Sequence, residues 1–396
     1  MENLDIYKDI AERTDGDIYV GVVGPVRTGK STFIKKFMEL LVLPNIDNEY
    51  KRERAIDELP QSAAGKTIMT TGPKFIPNEA VEITIADNLK LKTRMVDCVG
   101  YLVNNAIGYL EDDMPRMVKT PWSAEEIPFE RAAEIGTKKV IEEHSSIAIL
   151  VTTDGSITGI PREDYVEPEE RVARELTAKQ KPFVIVLNAE EPFSEENKRL
   201  ACELEDKYNT AVVPLNCTEL SLENINDIFS KILFEFPIEQ INIKFPRWIE
   251  GLQDTNEIKT ELFREIKDCF ADTKKLKEVS DDVARLQSTQ VITRTEITKI
   301  DLGTGNVELS ISLKDELFYK VLTEITGEEI ADEGKLFAKI TEFSRIKKEY
   351  DKLEYALHEV REKGYGIVNP TVDDLILEEP EIIRQGSKFG VKLKAK

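Results

Sequence analysis

One run constrains this chain more than any other: Gly24-Pro-Val-Arg-Thr-Gly29-Lys30-Ser31. It satisfies G-x-x-x-x-G-K-[ST] at every fixed position. An apolar strand pattern, IYVGVV, precedes it, and a helical pattern, STFIKKFMELL, follows. Strand, glycine loop and helix in that order form a phosphate cradle. Backbone N–H groups from Gly24, Val26, Arg27, Thr28 and Gly29 surround the ligand, and Pro25 shapes the loop without contributing one. The helix that opens at Lys30, Ser31 and Thr32 adds the partial positive charge of its N-terminus. Lys30 reaches the β- and γ-phosphates as a compact cation, and the Ser31 hydroxyl is offered to Mg²⁺. The expected cofactors are therefore a nucleoside triphosphate and Mg²⁺.

Such a site needs a carboxylate on a neighbouring strand. Leu91–Val96 runs into Asp97-Cys-Val-Gly100, a D-x-x-G. Asp97 is expected to hold the metal through water, and the Gly100 N–H to meet the γ-phosphate. A threonine in the loop between helix and hairpin, within Gly65–Pro73, is expected to coordinate Mg²⁺ and sense the γ-phosphate. Thr70 and Thr71 are the candidates, with Thr67 the outsider. Glutamine often follows the D-x-x-G glycine to orient the attacking water; here Tyr101 stands there. Slow hydrolysis, or a catalytic group from elsewhere, is the expectation. Arg27 is either an internal arginine at the β–γ bridge or an ordinary surface arginine.

Guanine-selective sites carry N-K-x-D after the fifth strand, whose aspartate takes the base's N1 and amino hydrogens. Here FVIVLN leads into Asn188-Ala-Glu-Glu191. Lysine and aspartate are absent, which removes the basis for selecting GTP, although Glu191 occupies the aspartate's slot. Asn188 remains as a cofactor-binding candidate.

The first part alternates strands (Asp17–Val23, Val81–Ala86, Leu91–Asp97, Ser146–Thr152, Pro182–Asn188, Thr210–Asn216) with helices (Lys30–Leu41, Phe129–His144, Pro168–Lys179, Ser194–Lys207, Leu222–Phe236). That alternation is doubly wound α/β. VEITIADNLKLKTRMVD leaves no room for a crossover helix, so its two strands form an antiparallel hairpin. Leu43–Pro77 and Tyr101–Pro128 are long irregular inserts. A boundary falls near Pro237–Pro246. Beyond it come a long charged helical pattern over Ile249–Leu286, a hairpin around Leu302-Gly-Thr-Gly305, and helices at Lys314–Thr326 and Glu333–Lys363. In the last helix Leu336, Ile340, Phe343, Tyr350, Leu353, Leu357 and Val360 form one apolar stripe, expected to face the core. SKFGVKLKAK reads as a lysine-protected edge strand. No catalytic constellation follows Phe236, and His358 stands alone in a helix.

Composition narrows the partners. The formal charge of −21 repels nucleic acid and anionic lipid. Cys98, Cys202, Cys217 and Cys269 are widely spaced, so reduced thiols in a cytoplasmic protein are expected. MENLDIYKDIAERTDGD is no signal peptide, and no run of 18 apolar residues spans a membrane.

MENLDIYKDIAERTDGDIYVGVVGPVRTGKSTFIKKFMELLVLPNI, DELPQSAAGKTIMTTGPKFIPN, RMVDCVGY, AAEIGTKKVIEEHS, GYGIVNP and EEPEIIRQGSKFGVKLKA together resemble the stage IV sporulation protein A family of endospore-forming bacteria. The resemblance covers essentially the whole chain. It implies an α/β fold: a P-loop NTPase domain of the translation-factor, GTPase-like class with an antiparallel second strand over residues 1–237. A smaller α+β domain over 238–396 follows, for assembly or partner contacts. It implies ATP hydrolysis that drives self-assembly into a static polymer, the base layer of the spore coat. Lys30 corresponds to the family's P-loop lysine, Asp97 to its Walker B aspartate, and Thr70 and Thr71 to its sensor threonines. Implied partners are further copies of the chain, coat proteins, and a small amphipathic membrane peptide. The implied location is the mother-cell cytoplasm, peripheral on the forespore's outer membrane. Family members continue past VKLKAK into a further domain implicated in membrane attachment, so polymerisation by these 396 residues alone is an open expectation. A GTP-dependent switch and a non-hydrolysing scaffold are the alternatives.

Overall fold

The computed structural model describes residues 3–60, 72–85, 89–103, 110–111, 114–120, 122–287, 289, 291–368, 376, 378–386 and 388–394. It divides into two units, 1–312 and 313–396.

In chain order the first unit opens with α1 (Asn3–Arg13), β1 (Asp17–Val23), α2 (Lys30–Phe37), α3 (Glu49–Asp57), β2 (Lys74–Ile85) and β3 (Leu89–Asp97). Short strands follow at β4 (Leu110–Glu111), β5 (Met114–Pro115), β6 (Met117–Thr120) and β7 (Ser123–Pro128). Then come α4 (Phe129–Lys139), β8 (Ile147–Thr153), α5 (Glu163–Ala178), β9 (Phe183–Asn188), α6 (Glu195–Tyr208), β10 (Val212–Leu215) and α7 (Leu222–Phe234).

These build a six-stranded sheet in the order β10-β9-β8-β1-β3-β2. Every neighbouring pair is parallel except β2 and β3, the expected antiparallel hairpin. The central strands are apolar along their whole length because helices cover both faces. In β8 the pleat sorts alternate residues: Ile147, Ile149 and Val151 enter one core, Ala148 and Leu150 the other. α2 and α7 contribute Phe33, Phe37, Ile228 and Phe229 to the first core, while α5 and α6 contribute Val172, Leu176 and Leu204 to the second.

The first core does not stop at residue 237. It takes in Leu276, Val279, Val283, Leu302, Val307 and Leu309. These come from a smaller layer and its connecting turns, built of β11 (Gln240–Lys244), α8 (Arg247–Glu250), α9 (Glu257–Phe270), α10 (Val279–Leu286), β12 (Ile292–Asp301) and β13 (Asn306–Leu313). Its sheet order is β11-β13-β12. Polar ties reinforce the seam. Arg13 Nε donates to Leu302 O at 2.7 Å. Glu235, 3% exposed, pairs with Lys275 at 2.7 Å and Lys277 at 2.9 Å.

The helical pattern over Ile249–Leu286 is not one helix. Gly251 ends α8, and the Asn256 side chain caps α9 by accepting from the Ile258 and Lys259 N–H groups. Asn256 satisfies donors that only a helix start leaves free, so the chain restarts there.

The second unit holds α11 (Asp315–Thr326), α12 (Glu333–Lys363), and the antiparallel pair β14 (Glu381–Gln385) and β15 (Lys388–Lys392). α12 has the expected span, but its apolar stripe is not core. Ile340, Phe343, Tyr350, Leu353, Leu357 and Val360 are 41–56% exposed. Periodicity reports which residues share a face; it does not supply a surface to cover that face.

Candidate functional site

The loop between β1 and α2 lies at the carboxyl ends of the parallel strands, where ligands bind in this architecture. β1 hydrogen-bonds to β3 and β8 on either side, which sets Val22 beside Asp97. The loop turns through Gly29, at φ 94°, where a Cβ would lie 2.3 Å from Asn188 Nδ2, so any other residue strains the backbone and displaces the Asn188 amide. α2 starts with no side-chain cap and no acidic residue in its first turn. Its N-terminal N–H groups and its dipole therefore favour an anion.

Lys30 is 5% exposed, and its ammonium donates to Pro25 O at 2.5 Å and Gly24 O at 3.3 Å. Burial lowers its pKa, while Cys98 and Asp97 act in the opposite sense. Asp97 is 6% exposed, and burial raises its pKa against the pull of Lys30 and of the Ser31 hydroxyl. Ser31 Oγ donates to Asp97 Oδ2 at 3.0 Å. The other carboxylate oxygen, Oδ1, is buried with no hydrogen-bond partner. A buried carboxylate oxygen costs free energy unless something binds it. A hydroxyl beside a half-satisfied carboxylate is an oxygen set that suits Mg²⁺, which takes one or two protein oxygens and completes its shell with phosphate and water.

The D-x-x-G segment passes directly over the loop. At Gly100, φ 91°, a Cβ would stand 2.1 Å from Gly24 O and 2.8 Å from Lys30 Nζ. Val26 N donates to Tyr101 O at 2.9 Å, which ties the two segments together. Thr28 Oγ1 donates back to Pro25 O at 3.1 Å. Arg27 is half-buried with a left-handed φ of 64°, and Thr32 is half-buried in the first turn of α2. Thr70, Thr71 and Thr67 lie outside the described residues.

Asn188 is buried, and its side chain joins two loops. Nδ2 donates to Thr28 O at 3.0 Å, and Oδ1 accepts from Cys217 N at 2.9 Å. In this arrangement its amide braces the phosphate loop from the side. The partner loop, Asn216-Cys217-Thr218, was not among the sequence candidates. Its signal was positional: it follows the last strand of the parallel sheet, at the edge where ligands bind. A second missed element is Asp154. It accepts from Ser156 N at 2.9 Å and from Asn197 Nδ2 at 3.0 Å, and Ser156 Oγ in turn accepts from Glu190 N at 3.0 Å. The loops after β8 and β9 are thus stitched together beside the Ala189-Glu190-Glu191 segment.

The family model described as "Stage IV sporulation protein A, ATPase domain" matches residues 1–237, and that for the family's middle domain matches 238–396. A stage IV sporulation protein A from Clostridioides difficile (strain 630) is 50% identical over 393 residues, covering 99% of this chain and 80% of the relative. One from Bacillus subtilis (strain 168) is 47% identical over 395 residues, covering 100% and 80%. Among solved structures, Roco2 RocCORdC of Methanosarcina barkeri bound to GDP is similar at 15% identity and a TM-score of 0.30, over 55% of this chain and 49% of that one. That likeness is too loose to carry a functional argument. The family matches are not: this chain belongs to the stage IV sporulation protein A family, and its N-terminal part is a nucleotide-binding ATPase domain.

Proposed function

We propose that the chain binds ATP with Mg²⁺ in the loop 24–31 and hydrolyses it to drive its own assembly. The product is a static polymer, the base layer of the spore coat around the forespore. One observation supports the site above all others: Asp97 holds the Ser31 hydroxyl with one oxygen and keeps the other buried and unpartnered beside Lys30.

In this reading the backbone from Gly24 to Gly29 cradles the β-phosphate, and Lys30 leaves its two loop carbonyls to meet the β- and γ-phosphates. Ser31 and Asp97 would hold Mg²⁺ together with Thr70, and Thr71 would sense the γ-phosphate. Mg²⁺, when bound, would supply positive charge that offsets the charge of the phosphates. The Gly100 N–H orients the γ-phosphate. Asn188 acts by holding the loop, and the Asn188–Glu191 segment lacks the carboxylate pattern that selects guanine, so ATP is preferred to GTP.

We assign residues 1–237 to ATP hydrolysis and 238–396 to assembly and partner contacts. No helix among the described residues is long and apolar enough to cross a membrane. By the family resemblance, location on the forespore surface, on the mother-cell side, is attributed to a small amphipathic membrane peptide, with coat proteins as the outward partners.

Phosphate release and ATP-dependent sedimentation of the purified chain test this reading. The parent turns over ATP in preference to GTP, and Lys30→Ala loses turnover by more than about 100-fold. Equal turnover by parent and Lys30→Ala, or a stronger response to GTP, overturns it.

A further inference from the structure

Tyr101 stands where related nucleotide sites place a water-orienting glutamine, yet its side chain points away from the phosphate loop. The residue is 3% exposed. Its hydroxyl donates to Glu175 Oε2 at 2.6 Å, and the Arg171 guanidinium lies 4.2 Å from its ring centroid. Arg171 in turn pairs with Glu134 on α4 and, at 3.5 Å, with Glu175 on its own helix, α5. Burial and the bond to Glu175 both raise the phenol's pKa, so it stays a donor.

The main chain of the same residue faces the other way. Its carbonyl accepts the Val26 N–H, and the preceding Gly100 closes over Lys30. One residue thus ties the phosphate loop to two helices. Beside it opens a cavity of about 310 Å³, lined among others by Tyr101, Leu102, Val103, Glu130, Glu134 and Arg171.

We propose that Tyr101 is a positioning residue: its clamp by Glu175 and Arg171 holds the Gly100 peptide over the γ-phosphate site and passes the state of that site to α4 and α5. This rests on the reading of loop 24–31 as an ATP-hydrolysing site and adds a named relay to it. Tyr101 does not touch the reacting atoms; it acts through Gly100 and Val26. An interaction made between a phenol and a carboxylate is of the stronger class. Its loss tilts the Gly100 peptide without emptying the nucleotide pocket.

The test uses the intact chain with ADP, ADP plus beryllium fluoride as a γ-phosphate mimic, and ATP turnover. Tyr101→Phe keeps the ring and its contact with Arg171 and removes only the hydroxyl. Its kcat falls about tenfold while ADP affinity and KM stay within about twofold of the parent, and the gain in affinity from beryllium fluoride shrinks. Glu175→Ala, which removes the acceptor, reproduces the loss, and the double variant adds little further loss because both act through one bond. Unchanged kcat in Tyr101→Phe overturns the relay. So does an equal weakening of ADP and of ADP plus beryllium fluoride, which marks a merely structural role, and so do multiplying losses in the double variant. If Lys30→Ala hydrolyses ATP like the parent, the site reading itself fails. If Lys30→Ala is silent and Tyr101→Phe is normal, only the relay fails.

Discussion

Helices α7 and α12 carry similar apolar stripes and meet opposite fates. In α7, Ile225, Ile228, Phe229, Ile232 and Leu233 are at most 1% exposed, packed under the six-stranded sheet and against α1. In α12, over 31 residues, Ala356 is the one buried side chain among the described residues. The difference lies in the surroundings. A helix stripe is buried when a sheet or helix presents a matching apolar face, and in residues 313–396 the described elements are two helices and one two-stranded ribbon. The first unit's stability therefore rests on a shared core that crosses residue 237. That of the second rests on local helix formation, aided by caps such as Asp332 Oδ1 accepting from Lys335 N at 2.8 Å.

The largest expected effect that would break this contrast is in the first unit. Phe229→Ala removes a ring packed edge-on against Tyr7 and Phe37, at centroid distances of 5.8 Å each, and is expected to destabilise that unit by about 3–5 kcal/mol. Chemical denaturation measures it, and a loss below about 1 kcal/mol would mean that the site collapses or that the core is looser than described.

An intermediate effect sharpens the claim that the core is continuous. Glu235→Ala unties Lys275 and Lys277 from the C-terminal end of α7. Both lysines are partly exposed and recover some hydration, so a loss of about 2 kcal/mol is expected, below that for a fully buried pair. A single unfolding transition should shift as a whole. Separate transitions for the parts before and after residue 237 would show two independent cores instead.

The smallest effect belongs to α12. Phe343→Ala is expected to change stability by no more than about 0.5 kcal/mol, as at an ordinary exposed site. A loss above about 2 kcal/mol, read by the same denaturation, would show that the stripe is covered in solution and would dissolve the contrast.

Much of the candidate site was legible in residues 24–31 and 97–100, because a phosphate loop is a local device. Its glycines, lysine and hydroxyl are needed at fixed offsets, and the flanking strand and helix can be read from period. The β2–β3 hairpin was legible for the same reason: too few residues separate the strands for a crossover. The long insert's threonines were named from that logic but lie outside the described residues. The helix α1 was passed over because NLDIYKDIAER is polar on average, although Ile6, Tyr7 and Ile10 share a buried face. The break inside Ile249–Leu286 was signalled by Gly251 and Asn256, and an unbroken reading of the charges hid it.

Sequence by itself determined what depends on near neighbours: the G-x-x-x-x-G-K-S loop between a strand and a helix, the strand and helix periods, and the absence of a guanine-selecting aspartate after β9. Tertiary structure alone decided which apolar faces are covered, that the first core runs on past residue 237, and that Tyr101 turns its side chain to Glu175 and Arg171 while its carbonyl holds the phosphate loop. Residues 101 and 175 are joined only when the segment after β3 is brought to α5, and no local pattern records a contact whose two ends are set by the folding of everything between them.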